Sequence, residues 1–155
     1  MIHLSGVASH EGYTRAGHPN EDSYLVLHGQ RQDGEMARPG GLFAVADGMG
    51  GLCQGQLASK LAVQTLAQAL APLLSSGEPF TDLKYLTLLV TAVQAANAAI
   101  RARIQQGEGK MGTTLTAALV IGSNAYIAMP GEQHGPLLEA CSNGIVSLIP
   151  SPAPV

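Results

Sequence analysis

The stretch "LFAVADGMGGLCQG" (residues 42–55) runs from apolar residues into an aspartate followed by closely spaced glycines. "LFAVA" is apolar throughout, the pattern of a strand covered on both faces. It ends on Asp47, which places a carboxylate at the rim of a sheet, where loops build sites. The glycines behind it let backbone come close to whatever the carboxylate holds. Two chemistries compete for this pattern. A phosphate-cradling loop needs a glycine where Cys53 stands and a Gly-Lys-Ser/Thr that does not follow. An anionic Asp47 directly before such a loop would also repel phosphate. The other chemistry is a hard divalent cation, Mg²⁺ or Mn²⁺, held by carboxylate and backbone carbonyl oxygens. Glu21 and Asp22 stand just before another strand, which makes three carboxylates available to one site. The plain alternative is that Asp47 caps a turn and that Glu21 and Asp22 are solvated loop residues.

Composition narrows the classes. The chain has 155 residues, 46% apolar and 12% charged, which fits one globular domain with a real core. A net charge of −3, with no basic stretch, argues against a nucleic-acid partner. Cys53 and Cys141 form neither a disulfide framework nor a metal pattern, which favours a reducing, cytoplasmic setting. The start, "MIHLSGVASHEGY", lacks the basic-then-apolar order of a secretory signal. The apolar region Leu57 to Leu74 is interrupted by Lys60, Gln64 and Gln68. It reads as a helix with one buried face, so a soluble chain with no membrane partner is expected.

"GVASH" (6–10) and "SYLVL" (23–27) read as short strands around the polar loop "EGYTRAGHPNED". "RQDGEMARPGG" (31–41) reads as a turn-rich connection. Ala62, Leu66, Ala69, Leu70 and Leu73 recur at helical spacing. After "SSGEPFTD", with Thr81 or Asp82 as N-cap, a second helix carries Leu86, Val90, Val93, Asn97, Ile100 and Ile104 and ends near Gly107. "TTLTAALVI" and "AYIA" form a hairpin turned by "GSN". Strands, two long helices, then strands again predict an α+β fold with a helix pair on an antiparallel sheet. From Met129 the pattern weakens into a divergent, Pro-rich tail, which divides the chain into residues 1–128 and 129–155.

"NEDSY" (20–24), "FAVADGMGG" (43–51) and "GKMGTTLTAALV" (109–120) together resemble a metal-dependent serine/threonine protein phosphatase of the PPM type. The order is that family's, with its helix pair between the second and third motifs. The resemblance implies an antiparallel β-sandwich flanked by helix pairs, incomplete at the C-terminus. It also implies a binuclear Mn²⁺/Mg²⁺ centre. Asp47 would bridge the two metals, Gly48 would coordinate through its carbonyl, Glu21 would bind metal directly or through water, and Asp22 would hold metal-bound water. Met111–Thr114 resembles the family's Gly-Thr-Thr segment, with packing and turn geometry as its expected role. The implied reaction is hydrolysis of phosphoserine or phosphothreonine in proteins by metal-activated water, opposing a Ser/Thr kinase.

The chain departs from the family pattern in several places. Gln56 replaces an acid in "GQLAS". Gly17 stands where the family carries a phosphate-gripping arginine, leaving Arg15 and His18 as substitutes, Arg15 the better because its guanidinium is forked. "GEQHGPLLE" (131–139) replaces a Gly-Asp-Ser-Arg strand, which makes Glu132 and His134 poor site candidates. The family's later metal-binding aspartates have no counterpart before Val155. Weak metal binding, a reduced rate, unpaired edges and exposed apolar surface are therefore expected. The alternative function is an inactive phosphoprotein-binding module or a truncated remnant.

Overall fold

A computed structural model of the chain describes residues 5–10, 19–33, 36–50, 54–77, 80–129 and 145–150. Two long strands, β1 (Asp22–Asp33) and β2 (Met36–Met49), form an antiparallel hairpin that runs in register from Asp22↔Asp47 to Asp33↔Met36. "RQDGEMARPGG" is thus mostly strand rather than connection. Its turn residues have a packing reason. A Cβ on Gly29 would lie 2.5 Å from Leu74 Cβ, and one on Gly40 would lie 3.2 Å from Leu74 Cδ2. The bare strands make room for the 3₁₀ turn Ala71–Ser75, which lies against β1. Pro39 is tolerated because its missing N–H faces away from β1, beyond the β2–β4 ladder that starts at Gly40.

Helix α1 (Gln54–Leu70) lies on β1 and β2, and α2 (Asp82–Gln105) packs on α1 and reaches the later strands. In α1 the expected stripe holds for Ala62, Leu66 and Leu70, which are buried, but Ala69 faces out. In α2 the buried stripe is Tyr85, Leu89, Ala92, Ala96 and Ile100. Of the sequence-read stripe, Ile100 belongs to that buried face, and Leu86, Val90, Val93, Asn97 and Ile104 form its half-buried flank. Thr81 is the N-cap and accepts from the Lys84 N–H at 3.3 Å. α1 together with the 3₁₀ turn that continues it (Gln54–Ser75), and α2, have the length and hydropathy of a membrane-crossing segment. In this structure their apolar stripes meet each other and the sheet instead.

Strands β3 (Gly112–Thr113), β4 (Thr116–Ile121), β5 (Asn124–Met129) and β6 (Ile145–Pro150) complete the sheet, in the order β1-β2-β4-β5-β6 with β3 on β2. All pairings are antiparallel. Gly122, at φ 61°, turns the β4–β5 hairpin where "GSN" was expected to. "TTLTAALVI" is not one strand: its ladder is interrupted at Thr114 and Leu115. "GVASH" forms no ladder: residues 5–10 are not paired with any described strand, although β1 stands at the end of the strand order.

The sheet has two unlike faces. Leu42, Ala44, Ala46, Ala117, Leu119 and Tyr126 are buried under the helices. Tyr24 and Val45 on the other face are 53% and 59% exposed. The described residues thus form one sheet covered by helices on one face, with Tyr24 and Val45 exposed on the other.

Tyr126 ties the sheet to α2 by donating to Asp82 Oδ1 at 2.6 Å. Burial, and then the Asp82 carboxylate, push the Tyr126 phenol up from 10.0 to about 12. The folded value lies above the unfolded one, so this contribution is whole below pH 10 and is lost as pH rises toward 12. Tyr126→Phe is expected to cost about 1 kcal/mol at neutral pH. Urea unfolding at neutral and alkaline pH checks this: the gap between the two proteins should close at the alkaline end.

Candidate metal centre

The β1–β2 register decides which acids meet. Asp22 opens β1 and faces Asp47 near the end of β2. The Gly48 N–H donates to Glu21 O at 3.2 Å, which makes Gly48 and Glu21 a hydrogen-bonded pair. The neighbouring pair, Asp22 and Asp47, is therefore of the non-hydrogen-bonded kind, in which side chains approach most closely. Both are exposed, on the face away from the helices. With Ser9, Tyr24 and Thr114 they line a cleft of about 220 Å³. Two like charges directly opposite disfavour the fold by roughly 0.2–1 kcal/mol. A cation between them reverses that sign.

Glu21 goes elsewhere. One residue before Asp22, its side chain falls on the opposite side of the strand. Its carboxylate lies against the first turn of α1: a Cβ on Gly55 would be 2.7 Å from Glu21 Oε1. A negative charge is favourable at that helix end. Among the described residues, no group of three or more His, Cys, Asp or Glu side chains converges on a point that could hold a metal. The register thus sets Asp22 opposite Asp47, while the Glu21 carboxylate and the Gly48 carbonyl carbon lie 2.7 and 2.9 Å from one point, the Cβ position of Gly55.

Gly48 is glycine for a packing reason. A Cβ there would run into Gly55 O and lie 2.5 Å from Glu21 O. The end of β2 is pressed between the start of β1 and the first turn of α1, and Asp47 is carried on that junction. Its backbone is held from the other side as well. Thr114 Oγ1 accepts from the Asp47 N–H at 3.1 Å, and the Thr114 N–H donates to Asp47 O at 2.9 Å. Thr113, fully buried, places Oγ1 2.9 Å from Asp47 O. Sequence reading gave these threonines only a packing role, because no spacing links residue 114 to residue 47. A hydroxyl-bearing pair after Gly112 was the available signal.

A hard cation suits this donor set. Mg²⁺ and Mn²⁺ are commonly held by one or two carboxylates with waters completing the shell. Asp22 and Asp47 fit one such ion, whereas a second finds no further carboxylate pair among the described residues. Arg15, His18, Cys53, Glu132, His134 and Cys141 lie outside the described residues.

The chain matches the model of the protein phosphatase 2C family over residues 10–131. It belongs to that family. This bears out the resemblance carried by the three motifs. The serine/threonine protein phosphatase PstP of Mycobacterium tuberculosis is 41% identical over 133 residues, which is 84% of this chain and 22% of PstP. The serine/threonine phosphatase stp of Listeria monocytogenes is 34% identical over 130 residues, 81% of this chain and 46% of that protein. The chain therefore spans less than half the length of these curated relatives.

Solved structures agree on the fold. The catalytic domain of PstP in complex with two manganese ions superposes at a TM-score of 0.50 and 33% identity, covering 72% of this chain and 48% of that one. A crystal structure of M. tuberculosis PstP/Ppp gives 0.56 at 24% identity, covering 85% and 74%, and supports the α+β antiparallel fold alone.

Proposed function

We propose that this chain carries part of a metal-dependent phosphatase site that removes phosphate from phosphoserine or phosphothreonine in proteins. The observation that carries the reading is the opposed pair Asp22 and Asp47 at one end of the open sheet face. Family membership and the manganese-bound relative support it. A divalent cation held there supplies Lewis acidity toward a phosphoryl oxygen and lowers the pKa of attacking water. Asp47 and Asp22 hold the charge and set its place on the sheet. Glu21, placed against α1, orders the junction that carries Asp47. Arg15, and after it His18, serve as the phosphate contacts by resemblance, in place of the arginine absent at Gly17. A phosphoprotein is the proposed substrate and a Ser/Thr kinase the opposing activity, in a cytoplasmic setting.

A second reading is favoured by one observation, that no third acid joins Asp22 and Asp47 among the described residues. In that reading the chain binds a phosphoprotein without turning it over. Hydrolysis of p-nitrophenyl phosphate and of a phosphothreonine peptide by the purified chain, with Mn²⁺ and with chelator, decides. Turnover that needs Mn²⁺ is the expected result. A folded chain that binds the peptide and releases no phosphate would replace the enzyme reading by the binding one.

A further inference from the structure

We infer that Thr114 is a positioning residue for Asp47, holding the carboxylate opposite Asp22 through the Asp47 backbone. The inference rests on the cation-site reading above. Its starting point is the register. Strand β4 pairs with β2 from Val45↔Thr116 back to Gly40↔Ile121, and β3 pairs at Gly48↔Thr113 and Met49↔Gly112. The register carries through from one segment to the other without a slip, so Thr114 stands directly opposite Asp47. A regular ladder would exchange two backbone bonds there. Only one is made: the Thr114 N–H donates to Asp47 O at 2.9 Å. The reciprocal donor, the Asp47 N–H, turns instead to the Thr114 hydroxyl at 3.1 Å. The Thr114 carbonyl thus released lies 2.8 Å from Thr113 Oγ1, which is also 2.9 Å from Asp47 O, so one buried hydroxyl proton serves both carbonyls.

Packing alone does not call for this exchange. An uninterrupted strand would satisfy the same groups with backbone, as it does on either side. What the exchange adds is a side-chain bond at the residue that carries the carboxylate. Thr114 also lines the same cleft as Asp22 and Asp47. Its hydroxyl reaches Asp47 from the side away from Asp22, so the two strands flanking β2 fix the carboxylate between them.

The test is Mn²⁺ affinity of the full chain, read by titration calorimetry and by the loss of the free-Mn²⁺ paramagnetic resonance signal. Thr114→Val keeps the shape and removes the acceptor; Thr114→Ser keeps the acceptor and removes a methyl. The expected result is a roughly 10- to 100-fold weaker affinity in Thr114→Val. Thr114→Ser should stay close to the wild type. Unfolding midpoints in chelator are measured alongside, because a merely structural role would lower the midpoint and leave affinity alone. If Thr114→Val does not fold, Thr114→Ala removes the same acceptor and is read in the same way. Unchanged affinity in a folded Val or Ala variant overturns the inference, as does a Ser variant that loses as much as Val. Failure of the wild-type chain to bind Mn²⁺ overturns the cation-site reading itself, and the inference with it.

Discussion

Adding a single methyl group at Gly48 is expected to destabilise the fold by about 3 kcal/mol, near the upper end for an overpacked site. The new Cβ would meet Gly55 O, Gly55 C and Glu21 O, and all three are backbone atoms. No side chain can rotate away to make room. Relief requires α1 to move off the end of β2, which loosens the packing of Ala58 and Ala62 beside Ala44 and Ala46 in the same core. Gly6→Ala is the control, since a Cβ there meets nothing within 4 Å and should change stability little. Urea unfolding of both variants checks the argument. A Gly48→Ala midpoint equal to that of Gly6→Ala would show that α1 does not close on β2 as described.

Asp47→Asn is expected to bring Mn²⁺-dependent turnover down to the rate seen with chelator. The amide keeps the size of the carboxylate, and the bonds from Thr113 and Thr114 reach only the Asp47 backbone, so they survive. What is lost is the charge that holds a cation opposite Asp22. A folded variant without turnover therefore reports the chemistry and not the scaffold. Phosphate release from p-nitrophenyl phosphate, measured beside the wild type, reads this directly. A variant that retains the wild-type metal dependence would remove Asp47 from the site.

Much of this was legible in the residues. The apolar run into Asp47 predicted a strand ending on a carboxylate at the sheet rim, and the helical spacing of Ala62, Leu66 and Leu70 marked the face that covers it. What was not legible came from contacts between distant segments. Pro39, Gly40 and Gly41 looked like a loop because their local chemistry is that of turns, whereas the strand leaves space there for Leu74, far along the chain. "GVASH" reads as a strand, but a strand exists only where it is paired, and residues 5–10 join no described ladder. The three acids looked like one site. The two-residue period of β1 sends Glu21 to the α1 side and leaves Asp22 facing Asp47. Thr114 was invisible as a contact because the register that sets it opposite Asp47 exists only in the assembled sheet.

The central claim is that Asp22 and Asp47 form an opposed pair completed by a cation, and paired unfolding measurements test it most directly. Thermal midpoints of the wild type and Asp47→Asn are compared in chelator and in excess Mn²⁺. In chelator the variant should be the more stable by roughly 0.2–1 kcal/mol, because a like-charge opposition has been removed. In Mn²⁺ at about a hundred times its dissociation constant the wild type should gain about 2.7 kcal/mol and overtake it. That reversal of order is the predicted result. A wild-type midpoint that Mn²⁺ leaves unchanged, or a variant that gains as much as the wild type, would contradict the claim.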